Sequence, residues 1–228
     1  MLQEYDPQYT IEICLDEAGR GPLFGRLYVA AVVLPKDGSF FHKDVKDSKK
    51  IHSRTKMQTV EEYIRQNAVA WSVQYIEHTV IDEINIRQSV FLGMHQCIRD
   101  IFDQIPGVHE NNTILLIDGN DFKPYMVYNP VTTSMEQLPH VTIEGGDNTY
   151  MGIAAASILA KSARDRYIDE LCTQYPELKT RYSMDKNMGY GTKAHLEGIL
   201  EHGITQWHRK TYGRCKEAKY NPLSEEKS

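Results

Sequence analysis

Ile13-Cys14-Leu15-Asp16-Glu17-Ala18-Gly19-Arg20-Gly21-Pro22-Leu23-Phe24-Gly25 drives a short apolar run straight into two adjacent acids and out through a Gly-Arg-Gly turn. A second apolar run, Leu27 to Leu34, follows at once. The pattern reads as a strand, a tight turn and a return strand. Carboxylates at the end of a buried strand are costly unless something positive pairs with them. Glycines beside them let another molecule's backbone come close. A cation and a phosphate are the partners such a place asks for.

The rest of the composition narrows the class. The chain has 228 residues, 41% of them apolar, enough for a sizeable core. No run approaches the ~20 apolar residues that span a bilayer. The N-terminus, Met1-Leu2-Gln3-Glu4-Tyr5-Asp6, is acidic and lacks the apolar stretch of a signal peptide, so a cytoplasmic protein with no membrane partner is expected. Cys14, Cys97, Cys172 and Cys215 are far apart and form no C-x-x-C, which speaks for free thiols rather than zinc or disulfides. The net charge of −5 argues mildly against a sequence-blind nucleic-acid binder. Its distribution matters more. His42 to Lys56 carries a local +4 and Lys179 to Lys216 a local +5, leaving −14 elsewhere. Basic segments are usually solvated faces. Two of them against an acidic remainder leave room for a polyanion-binding groove.

Along the chain, Thr10 to Leu15 and Arg26 to Leu34 read as antiparallel neighbours. Ser53 reads as the N-cap of a helix to about Gln66, with Met57, Val60 and Ile64 on one face. Ala68 to Ile76 reads as a third strand. Thr79 and Asp82 have capping-box spacing, ahead of one long helix with Ile81, Ile84, Phe91, Met94, Ile98, Ile101 and Ile105 at helical period. Thr113 to Ile117 is a further strand, ending at Asp118-Gly119. Tyr125 to Tyr128 and His140 to Glu144 read as the arms of an enlarged hairpin around Asn129-Pro130. Gly145-Gly146-Asp147-Asn148 leads into a helix from about Tyr150 to Cys172, whose small residues favour close packing on a sheet. A last helix, Lys193 to Glu201, stops at Gly203. The expected fold class is α/β, a mixed sheet with helices packed on it.

Asp16, Glu17, Asp118 and Asp147 each sit at an element end beside glycine or a helix start. Each has a bland alternative: a helix N-cap for Asp147, a turn acid for Asp118, an ion pair with Arg20 for Asp16 and Glu17. Together they form a set of hard oxygen ligands suited to Mg²⁺ or Mn²⁺. Two such ions about 4 Å apart stabilise the attacking and leaving oxygens of phosphodiester cleavage. The sequence has no H-E-x-x-H, G-x-S-x-G, P-loop or G-x-G-x-x-G.

The chain resembles the type 2 ribonucleases H, the ribonuclease HII family. The resemblance lies in Asp16 to Leu23 with Gly25, Asp47-Ser48-Lys49-Lys50, Asp118-Gly119, Gly146-Asp147, Ile153 to Lys161 with Arg164-Asp165, Gly189-Tyr190-Gly191-Thr192 with His195, and His208-Arg209-Lys210, in the family's order. It implies an RNase H-like mixed five-stranded sheet flanked by helices, with a helical C-terminal extension. Residues 1–175 would form the catalytic domain and 176–228 the extension. It implies cleavage of RNA in RNA·DNA hybrids and incision 5′ of ribonucleotides embedded in duplex DNA by a monomer. Asp16, Glu17, Asp118 and Asp147 match the family's metal-holding carboxylates. One ion would activate water, the other would stabilise the leaving oxygen, and the ends would be 5′-phosphate and 3′-hydroxyl. Gly19, Arg20 and Gly21 would read the ribose 2′-hydroxyl, which separates RNA from DNA. Tyr190 would stack on the following sugar. Lys49, Lys161 and Arg164 would contact phosphates or steady the acids; for Lys161 and Arg164, on a helix, a structural salt bridge is an equal alternative.

The chain departs from the family pattern at Phe24, where many members have Ala, and in the 28 residues between Asp118 and Asp147. The Gly-Arg-Gly turn, with no substrate-binding domain expected before the first strand, favours type 2 over ribonuclease HIII. The alternatives are a DNA-directed nuclease of the same superfamily and a non-catalytic duplex-binding relative.

Overall fold

Strand β1 (Ile11–Ala18) has partners on both edges, and its composition shows why. Ile13, Cys14 and Leu15 are consecutive, apolar and buried, the mark of a strand covered on both faces. In the computed structural model, which describes residues 2–41, 44–45, 53–129 and 131–224, β1 pairs antiparallel with β2 (Leu27–Val33), Asp16 opposite Ala30. After α1 (Arg54–Asn67) comes β3 (Ala70–Ile76) on the far edge of β2. On the other side β1 runs parallel to β4 (Thr113–Asp118), with Leu15 opposite Ile117. The sheet is completed by β7 (His140–Ile143), parallel to β4, in the order β3-β2-β1-β4-β7. The mixed five-stranded sheet is therefore present as expected.

The helix predicted after Ser53 forms, and the Ser53 hydroxyl accepts from the Lys56 amide at 3.3 Å. Its face of Met57, Val60 and Ile64 is buried. Helix α5 (Met151–Gln174) uses its small residues as expected. A Cβ on Gly152 would lie 3.1 Å from the Cβ of Cys14 on β1. The next residue, Ile153, packs with Cys14, Ile114 and Leu116. Glu61 of α1 is buried where it accepts from Ser162 of α5 and pairs with Arg65 at 2.8 Å.

Three expectations change. The long helix from Thr79 is two helices, α2 (His78–Ile84) and α3 (Ile86–Gln104), broken at Asn85 with φ +67°. The Asn85 side-chain oxygen accepts from the Gln88 amide at 3.1 Å, capping α3. Thr79 caps nothing; the N-cap residue of α2 is Glu77, and Asp82 accepts instead from the amides of Lys210 and Thr211 at 2.7 and 2.9 Å. The two arms of the supposed hairpin are not partners. Strand β5 (Met126–Asn129) pairs with β6 (Ser134–Gln137), while β7 joins the main sheet. The Asp47-Ser48-Lys49-Lys50 motif lies outside the described residues.

By its internal contacts the chain divides into two units. The first comprises Met1–Ala18, Tyr28–Gln74 and Val90–Ser162; the second comprises Gly19–Leu27, Tyr75–Ser89 and Ala163–Ser228. In the second lie α6 (Glu177–Tyr182), α7 (Met184–Asn187) and α8 (Lys193–His202), then a 3₁₀ turn at Gly213–Lys216. Thr192 caps α8 and Gly203, at φ +80°, ends it. Phe24 is fully buried there, its ring edge-on to His208 at 5.0 Å and 6.1 Å from Trp207. His195 and His208 meet through their Nε2 atoms at 3.1 Å, and burial lowers the pKa of both, so two neutral imidazoles share one proton. All four cysteines are free and buried, and no helix among the described residues is long and apolar enough to cross a membrane.

The bulk at position 24 is built into this core. Phe24→Ala is expected to lower the unfolding free energy by about 3 kcal/mol, read from urea denaturation. A loss under about 1 kcal/mol would show that the neighbourhood collapses to fill the gap.

Candidate active site

The parallel register carries Asp16 level with Asp118, one residue beyond the Leu15–Ile117 pair. Neighbouring strands lie about 4.8 Å apart, and residues level in a parallel pair share a face. Two carboxylates therefore stand side by side at adjacent strand ends. Glu17 follows Asp16, and Asp147 arrives from α4 (Gly146–Thr149), whose N-cap residue is Gly145. Asp147 is thus in the first turn rather than the cap, and its amide donates to Asp118 Oδ1 at 3.4 Å. Gly146 leaves little room beside it: a Cβ there would lie 2.6 Å from Ile153 Cδ1, 3.3 Å from Asp118 Oδ1 and 3.4 Å from Ile143 Cβ. The structure thus gathers the four predicted acids at one end of β1 and β4.

The electrostatics of Asp16 are unfavourable as they stand. Asp16 is buried, and its pKa is raised well above the ordinary carboxylate range. Desolvation is the first cause, then the negative charges of Glu17 and Asp118. The Ser157 hydroxyl of α5 and the Glu17 amide donate to Asp16 and oppose the shift. Among the described residues no three His, Cys, Asp or Glu side chains form a finished ligand group. The donor set still fits a hard divalent cation: every donor is a carboxylate oxygen, and the local field is one that a cation relieves.

The second set of predicted residues starts one residue after Ala18. Gly19 has φ +94°, and a Cβ on it would lie 2.5 Å from Arg164 Cδ. Only glycine meets both conditions. Arg20 and Gly21 are exposed. A Cβ on Gly21 would meet the Tyr190 ring at 3.7 Å, so turn and tyrosine are neighbours. Tyr190 is half exposed, and Arg164 lies 5.9 Å from its centroid. His195 Nδ1 lies 3.0 Å from the Tyr190 carbonyl and steadies this loop. Lys49 falls outside the described residues.

Two basic residues are buried rather than solvated. Arg164 is buried and donates to the carbonyls of Met188 and Phe24 at 2.8 and 3.3 Å, so it supports backbone rather than a phosphate. Arg209, counted in the basic run, is fully buried. Sequence reasoning also passed over Ser157 as a partner of Asp16; a serine in a helix of small residues carries no signal of that role.

Asp16→Asn removes the buried charge. Because the folded pKa lies above the ordinary 3.8, this carboxyl contributes stability that is fully present below about pH 3.8 and lost as pH rises through the folded value. Asparagine does not titrate. With chelator present, the variant is expected to be more stable than the parent at pH 8, and the gap should close towards acid. Urea midpoints across pH measure it; a gap independent of pH would contradict the buried repulsion.

Comparison with known proteins identifies the family. The family model described as Ribonuclease HII matches residues 13–215. A ribonuclease HII of Parabacteroides distasonis is 42% identical over 212 residues, covering 93% of this chain and 94% of the relative. One from Bacteroides thetaiotaomicron is 40% identical, covering 97% and 98%. Among solved structures, the ribonuclease HII in a complex with PCNA from Archaeoglobus fulgidus shares the fold at 24% identity and TM-score 0.62, covering 89% of this chain and 95% of that one. The chain belongs to the ribonuclease HII family, metal-dependent hydrolases that cleave RNA in RNA·DNA hybrids.

Proposed function

We propose that the protein is an endoribonuclease that cuts RNA·DNA hybrids and also incises duplex DNA 5′ of single embedded ribonucleotides, leaving 5′-phosphate and 3′-hydroxyl ends. The observation that carries this is the buried Asp16 level with Asp118, followed after Glu17 and Ala18 by the Gly19-Arg20-Gly21 turn.

Asp16, Glu17, Asp118 and Asp147 would hold two Mg²⁺ or Mn²⁺ ions, which when bound supply an activated water and charge stabilisation for the leaving oxygen. The protein's own part is preparation. Ser157 and the Glu17 amide orient the Asp16 carboxylate, and the Asp147 amide orients Asp118. The turn offers backbone groups to a 2′-hydroxyl, which deoxyribose lacks. The half-exposed Tyr190 beside Gly21 offers a ring face to the next sugar. Exposed basic residues position the duplex without reading its sequence. The enzyme is read as a cytoplasmic monomer, in keeping with four free thiols.

A duplex carrying one ribonucleotide, incubated with Mg²⁺ or Mn²⁺, tests the chemistry. Incision 5′ of the ribonucleotide is expected, with none on the all-DNA duplex. Asp118→Asn should lower it by about 10³-fold or more, a loss of the size seen when one electrostatic group of a catalytic site is removed. Incision that persists in this variant would sink the assignment. Tyr190→Ala separates the two substrates: cleavage at single ribonucleotides should fall at least about tenfold further than cleavage of long hybrids, which offer other contacts. Equal losses would remove Tyr190 from the junction.

A further inference from the structure

Arg209 is fully buried and turns its guanidinium on backbone. Nη2 donates to the Gly19 carbonyl at 2.6 Å, Nη1 to Arg20 at 3.1 Å, and Nε to Gly25 at 3.0 Å. The main chain around it is clipped to the same segment. The Arg209 amide donates to Leu23 and the Gly25 amide to Trp207, each at 2.8 Å. Asp82 holds the following amides of Lys210 and Thr211. The Tyr212 ring lies 5.0 Å from the guanidinium carbon, and its hydroxyl donates to the Arg20 carbonyl at 3.3 Å.

Burying a guanidinium is expensive, and desolvation pulls this one down to about 10, still charged at neutral pH. An ordinary surface turn needs no such support. What the support does follows from peptide geometry. In a planar trans peptide the carbonyl and the next residue's N–H point in opposite directions. Holding the Gly19 carbonyl turns the Arg20 N–H away from Arg209. Holding the Arg20 carbonyl does the same for the Gly21 N–H. Two successive donors of the turn are thus aimed away from the clamp, with the Tyr190 ring beside Gly21.

We propose that Arg209 is the positioning residue that aims the turn's N–H groups at the substrate 2′-hydroxyl, so that discrimination between ribose and deoxyribose depends on a side chain 190 positions away from Gly19. This rests on the reading of Gly19-Arg20-Gly21 as the 2′-hydroxyl reader. Lysine cannot replace it, because three donors on one nitrogen do not span three carbonyls as the guanidinium fork does.

The experiment measures single-turnover cleavage of two duplexes, with a ribonucleotide or a 2′-fluoro nucleotide at the same place. Fluorine occupies the position but is a poor hydrogen-bond acceptor. Parent enzyme should cut the fluoro duplex far more slowly. In Arg209→Lys the ribonucleotide rate should drop by about 100-fold, as for a misplaced reacting group, and the fluoro penalty should shrink about tenfold. Val60→Ala, in the core of α1, controls for lost stability and should leave the penalty unchanged. If Arg209→Lys does not fold, as shown by circular dichroism, Tyr212→Phe carries the test: it removes one donor from the Arg20 carbonyl and should shrink the penalty about threefold. No fluoro penalty in the parent would refute the 2′-hydroxyl reading of the turn. A penalty in the parent that survives intact in the folded variant would overturn the role of Arg209 alone.

Discussion

A carboxylate buried at the end of the central strand, beside two others, is the constraint that the first unit is built around. Asp16 loses hydration and faces Glu17 and Asp118. One serine hydroxyl and one amide cannot offset two like charges. A fold that places acids this way gives up stability at neutral pH and gains a field suited to a divalent cation. The repulsion is confined to the last residues of two adjacent strands. Below them Ile13, Leu15, Leu115 and Ile117 are fully buried and hold the register that keeps the acids level.

The parts of the fold that could be read from sequence are those where one residue carries one physical job. Ser53 caps a helix, Gly203 ends one, and a buried run such as Thr113 to Ile117 has no alternative to a covered strand. Asn85 was illegible because the apolar period of the long helix continues across it; only its left-handed backbone and side-chain cap break the helix. Strand β6, Ser134–Gln137, carries polar residues on an exposed ribbon, so it has no burial pattern to betray it. Helices α6 and α7 end at Ser183 and Met188, both left-handed without being glycine, and no sequence rule marks such stops.

The four acids were legible for another reason. Each stood where a turn, a cap or an ion pair could have explained it, but all four stood at element ends near glycine or a helix start, and the motif order resembled a known family. The basic residues offered no comparable check. An arginine that meets a phosphate and one that meets carbonyls look alike in sequence. Arg164 and Arg209 prove to be of the second kind: both are buried, and their guanidiniums hold main chain.

That distinction changes what the basic C-terminal stretch is for. Formal charge there reads as attraction for a polyanion, yet Arg209 spends its donors on the Gly19, Arg20 and Gly25 carbonyls. A charged fork is the side chain that can saturate several carbonyls at once from one position, and saturating carbonyls on one side of a turn fixes where the opposing amides point. A turn rich in glycine is otherwise free to choose among conformations. The glycines make close approach possible, and the buried arginine removes the freedom they bring, so the conformation of this turn is a property of two segments folded together rather than of the Gly-Arg-Gly motif alone.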